Sequence, residues 1–154
     1  MDDVARAAHI SRPGLYFLFD SKPVLFREAV TYVLDRDLGS IELELGDTER
    51  PLSERMIAAF DIWAGSHIGP LTDTPDAVAT NAALLGPLLN EAPRRFEELV
   101  IRSVRQAKRA GGIDRARTLI STSIGIKQQV STRAEYLERF RIAVALVLPD
   151  PQER

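Results

Sequence analysis

Apolar residues recur at three- and four-residue spacing along almost the whole chain, as in Val24, Leu25, Ala29, Val33, Leu38, Ile41 and Leu45. That period suits helices that bury one stripe of their surface. Alternating Val/Ile/Thr/Tyr runs joined by Asn-Gly or Asp-Gly turns, the mark of hairpins, are missing. The pattern therefore predicts an all-α chain, with helices near 2–8, 12–18, 23–45, 51–68, 75–86, 92–110, 114–129 and 132–148. The punctuation between them has backbone reasons. Pro23, Pro51 and Pro75 fall near first helical turns, where a missing N–H is harmless, and Ala110-Gly111-Gly112 offers left-handed residues to end a helix. The third helix is long enough to join two modules. Residues 1–45 read as a small head with its connecting helix, and residues 46–150 as a larger body.

Composition narrows the classes. A chain of 154 residues can enclose a core without staples, and the absence of cysteine removes disulfides and Cys-type metal sites, so an intracellular, cytoplasmic protein is expected. Lys and Arg number 20 against 22 Asp and Glu, a formal charge of −2, which excludes a uniformly basic nucleic-acid coat and leaves room only for local basic patches. The start, MDDVARAAHI, carries two acids where a secretory signal carries positive charge. The longest apolar run, Ile142 to Leu148, is far below the roughly 18 residues of a membrane span, so no membrane partner is expected.

The most specific signal lies in the first thirty residues. Val4-Ala5-Arg6-Ala7-Ala8 reads as a short helix with Val4 and Ala8 inward, His9-Ile10-Ser11 as a break, and Arg12-Pro13-Gly14-Leu15-Tyr16 as a second helix capped by Ser11. Alanines at 5 and 8 allow the two helices to cross closely. This is the arithmetic of a helix-turn-helix, whose second helix presents its first turn to the major groove.

Asp3-Val4-Ala5-Arg6-Ala7-Ala8, Ser11-Arg12-Pro13-Gly14-Leu15-Tyr16 and Phe19-Asp20-Ser21-Lys22 followed by Leu25-Phe26 together resemble the DNA-binding module of tetracycline-repressor (TetR) family transcriptional regulators. The likeness is dense over residues 1–30 and rests on helix layout alone beyond them. It implies that Ser11 caps a recognition helix, that Arg12, Pro13 and Gly14 lie on its groove-facing turn, and that Tyr16 and Lys22 reach backbone phosphates. Arginine suits bidentate recognition of guanine, whereas tyrosine and lysine suit phosphate oxygen. Two departures stand out. Leu18 stands where the family often has histidine, and the family carries a helix before the one that begins here. The expectation is a shortened head, more mobile than the body, with Val4, Ala8, Leu15 and Phe19 short of cover.

Other candidates are weaker. Leu15, Phe17, Phe19 and Phe26 read as core and not as a stacking platform. His9 and His67 sit on separate elements with no carboxylate at ligand spacing, so no metal, no cofactor and no catalytic residue is assigned. The arginine-rich stretch from Arg94 to Arg117 has Arg94–Glu98 and Glu98–Arg102 four apart, the spacing of an ion-paired helix surface.

The final helix is apolar all round in its second half, which demands cover on two sides. With the preceding helix it is expected to form a four-helix homodimer interface through Leu119, Ile120, Ile124, Phe140, Val144 and Val147. Phe60, Trp63, His67, Asn81 and Phe96 lie on helices that, by the resemblance, surround an effector pocket. The reading is a dimeric regulator that binds a pseudo-palindromic double-stranded DNA operator, a repressor released by a small-molecule effector. The alternative is a helical dimer that binds a small molecule or protein without DNA.

Overall fold

The computed structural model describes residues 1–68, 85–108 and 111–149. Among these the chain is all-helical: α1 (Asp2–Ala7), α2 (Arg12–Leu18), α3 (Lys22–Gly46), α4 (Leu52–Trp63), a 3-10 turn (Gly65–His67), α5 (Leu88–Gln106), α6 (Gly112–Lys127) and α7 (Arg133–Val147). Local chemistry explains the starts. The hydroxyls of Ser11, Ser21 and Thr132 accept the N–H of Gly14, Val24 and Glu135 at 3.1, 3.4 and 3.2 Å.

Three boundaries differ from the sequence expectation. The fourth helix stops at Trp63 and tightens into the 3-10 turn. The fifth begins at Leu88 and carries Pro93 inside it, where one amide donor is forgone. It ends at Gln106 because Lys108 takes the left-handed conformation (φ 52°), while Gly111 (φ 67°) caps the start of α6 and does not terminate α5. The helix expected at 75–86 lies outside the described residues, apart from its last two.

The long helices form a closed circuit: α3 packs on α4, α4 on α7, α7 on α6, α6 on α5, and α5 returns to α3. Inside the circuit lie Ile41, Met56, Phe60, Phe96, Leu119, Tyr136 and Phe140, each shielded from solvent. Phe60 meets Phe96 edge-on at 4.9 Å between centroids and Phe140 at 4.5 Å. Arg95 bonds Asp35 at 2.9 Å and Arg102 lies 3.4 Å from Glu42. Partners advance by the same seven residues on both helices, so α3 and α5 run parallel. Arg94 pairs with Glu98 at 3.6 Å, as expected, whereas Arg102 crosses to α3.

One buried cation closes the far end of α3. Arg55 donates from Nη1 to the carbonyl of Leu45 at 2.7 Å, satisfying an acceptor that the last helical turn leaves without an intrahelical partner.

Candidate functional site

The first region is the pair α1 and α2. A left-handed His9 (φ 55°) ends α1, with the N–H of His9 and Ile10 donating to Arg6 and Ala5 carbonyls at 3.2 and 3.1 Å. This is the Schellman arrangement, normally given to glycine. The turn delivers Ser11 directly into the cap of α2. Arg12, Pro13 and Tyr16 are exposed on that helix, Gly14 is half-buried, and Lys22 is exposed at the first position of α3. A Cβ on Gly14 would lie 3.1 Å from Ser11 Oγ, so glycine keeps the cap uncrowded. The Arg12 guanidinium lies 3.3 Å from the Asp2 carboxylate and 5.8 Å from the Tyr16 ring centroid.

The packing of this pair corrects the sequence reading. Ala5 and Leu15 are its buried residues, while Val4 and Ala8 face solvent. Phe17, expected in the core, is 89% exposed, and Leu18 is exposed beside it.

The second region is a cleft of about 470 Å³. One face of α3 supplies Phe26, Ala29, Val30, Val33, Leu34 and Asp37, and Trp63, His67, Leu85 and Lys127 also line it among the described residues. The α3 residues follow a three-and-four spacing distinct from Leu38, Ile41 and Leu45, which enter the core. Of the expected pocket residues, Trp63 and His67 line this cleft. Phe60 and Phe96 do not: they are buried behind it, with Phe96 stacked under Trp63 at 4.6 Å. Asn81 lies outside the described residues.

The polar end of the cleft is organised around Asp37. Its carboxylate accepts Arg36 Nε and Nη2 at 3.0 and 2.8 Å, and His67 Nε2 lies 3.0 Å from its other oxygen. The expectation that His67 has no nearby carboxylate is therefore corrected by a contact across thirty residues. The neighbouring Ser66 hydroxyl donates to the Ile62 carbonyl at 2.9 Å. Among the described residues no group of three or more His, Asp or Glu side chains could hold a metal ion.

The expected interface residues separate into two sets. Leu119, Phe140 and Val144 are enclosed by the chain's own helices, Ile120 and Val147 are half-buried, and Ile124 is exposed. The α7 face opposite Phe140 and Val144 carries Ile142 and Leu146, both exposed. Inward and outward apolar residues are what made this helix read as apolar all round, and only the outward ones are available to a second chain.

No protein-family model, no curated protein and no solved structure matches this chain. No helix among the described residues is long and apolar enough to cross a membrane.

Proposed function

We propose that the chain is a ligand-responsive DNA-binding regulator of the tetracycline-repressor type, a homodimer released from its operator by a small molecule in the α3 cleft. The observation that carries this reading is the double duty of α3. Its first turn presents Lys22 directly after α2, and its next three turns form a wall of the cleft. A ligand that favours one setting of this helix thereby acts on the element from which the α1–α2 pair extends, with leverage equal to its differential affinity for the two settings. In this reading Ser11 caps the recognition helix, Arg12 reads a base edge, Pro13 and Gly14 lie against the groove, and Tyr16 and Lys22 bind phosphates.

The dimer follows from the outward apolar residues of α6 and α7, which a two-fold four-helix contact would cover. Two heads would then read half-sites about 34–36 Å apart.

Selection from a random duplex pool tests the reading. The expected product is a pseudo-palindrome whose binding weakens when the cleft is filled. Arg12→Ala should cost about 1–3 kcal/mol and relax preference at one base pair per half-site, whereas Lys22→Ala should weaken all sequences alike and flatten the salt slope. The pairing of Arg12 with Asp2 favours the other reading, a small-molecule-binding dimer without DNA. An exposed pair of this kind holds only about 0–1 kcal/mol, within reach of a phosphate competitor. Recovery of no enriched sequence would establish that alternative.

A further inference from the structure

We infer that the cleft beside α3 takes an organic anion with an apolar body, a hydrophobic carboxylate whose charge meets Lys127. The inference rests on the reading of the cleft as a ligand site and adds the chemical class of the ligand. Among the described residues, three that line it are polar: Asp37, His67 and Lys127. The Asp37 carboxylate is already met by Arg36 on one oxygen and His67 on the other. Its charge is therefore answered within the protein, and Arg36 cancels it.

Lys127 is in a different position. It is half-buried at the last residue of α6, and it makes no hydrogen bond or ion pair among the described residues. The helix dipole favours a cation there, but a dipole end does not supply an oxygen ligand. Lys127 lines the cleft together with a largely apolar wall, so a carboxylate whose body packs on that wall can form a charge-assisted hydrogen bond to its ammonium. With Asp37 already met by Arg36 and His67, Lys127 is the charge left to a ligand among the described lining residues. The remaining wall is hydrocarbon and indole, and the volume of about 470 Å³ falls in the small-molecule range of about 300–1,000 Å³.

Trp63 is the only tryptophan of the chain and lines the cleft, so its fluorescence reads occupancy directly. Decanoate, decanol and decyltrimethylammonium share one apolar body and differ in head group. The expected result is that decanoate quenches or shifts Trp63 emission with an affinity about tenfold above decanol, the increment of one charge-assisted contact. Lys127→Gln should bring decanoate down to decanol and leave decanol unchanged, and Lys127→Arg should keep the preference. Ala29→Phe, which fills the cleft from α3, should weaken both ligands. Equal affinities for decanoate and decanol, or tightest binding of the ammonium, would overturn the anion assignment and leave the cleft as a ligand site. Silence of Trp63 toward all three would overturn the cleft reading along with it.

Discussion

Asp37 and His67 stand thirty residues apart in sequence, and the carboxylate Oδ2 of one lies 3.0 Å from the imidazole Nε2 of the other. The contact ties the 3-10 turn after α4 back to the middle of α3 at the mouth of the cleft. Asp37→Ala removes the acceptor shared by His67 and Arg36, and it should cost about 1.5–3 kcal/mol, the range for hydrogen bonds to a charged group. His67→Gln keeps a donor and should cost less than half as much. Urea unfolding of the two variants checks the ratio, and equal losses would deny Asp37 its shared role.

The phenol of Tyr136 is sealed inside the bundle, where its oxygen lies 2.8 Å from Ser123 Oγ. Burial pushes its pKa up from 10.0 to about 12, the Ser123 bond opposes the rise, and the Asp61 charge adds to it. The folded state thus holds this proton more tightly than the unfolded chain. Its stabilising contribution is complete below pH 10 and is lost as pH climbs toward 12. The loss amounts to about 2–3 kcal/mol. Denaturant midpoints measured across that range should fall more steeply for the parent protein than for Tyr136→Phe.

Glycine-to-alanine changes in helical backbone commonly stabilise by about 0.5–1 kcal/mol, but Gly65 should reverse the sign. A Cβ there would collide with the Asp61 carboxylate and approach Tyr136 Cδ1 to 3.1 Å. Asp61 cannot readily yield, because Arg133 holds both its oxygens at 2.8 and 2.5 Å. Gly65→Ala is expected to destabilise by about 1–3 kcal/mol, the range for overpacking. Adding Asp61→Ala should return part of that loss in thermal unfolding.

If the outward face of α7 is a dimer contact, Ile142→Glu with Leu146→Glu should give a folded monomer by sedimentation and circular dichroism. Val144→Asp tests a different property, since Val144 faces the chain's own core. It should unfold the bundle, because a buried charge has no partner there. A double variant that sediments like its parent would remove α7 from the interface.

The α1–α2 pair buries only Ala5 and Leu15, which supplies roughly 2–3 kcal/mol of apolar burial. Amides of residues 2–18 should therefore exchange with solvent faster than those of α6 and α7. Equal protection by mass-spectrometric exchange would contradict this.

Helix positions were legible because α3, α6 and α7 carry spacing that only a helix can bury. The cap of α2 was legible too, since Ser11 precedes a proline-bearing first turn, whereas the caps by Ser21 and Thr132 were not read. The left-handed His9 and Lys108 were not, because a non-glycine residue announces no positive φ, although at both the N–H bonds back to a carbonyl three residues earlier at a helix end. The cleft was half legible. Trp63 and His67 belong to it, but Phe60 and Phe96 have the same composition and lie one layer behind, a distinction of depth that periodicity does not encode. Asp37 and Lys127 escaped because their relation to His67 and Trp63 exists only after α3, α4 and α6 assemble. The α7 residues show the same ambiguity: Val144 and Leu146 are equally apolar in sequence, and only the placement of α4 and α6 decides which one is hidden.

The bond from Arg55 to the Leu45 carbonyl gives α3 the mechanics of a lever. Its far end is pinned by that guanidinium and by Leu38, Ile41 and Leu45 in the core, while the stretch that borders the cleft has room on one side. Along a continuous helix, Val30 stands about 12 Å beyond Leu38, the nearest of these core anchors, and Lys22 about 24 Å. A sideways push of about 1 Å at Val30 thus becomes about 2 Å at Lys22 if the rod stays straight. Gain of this kind is set by where the fulcrum sits, so loosening the core contact of Leu38 would change the displacement that reaches Lys22 without touching a lining residue named above.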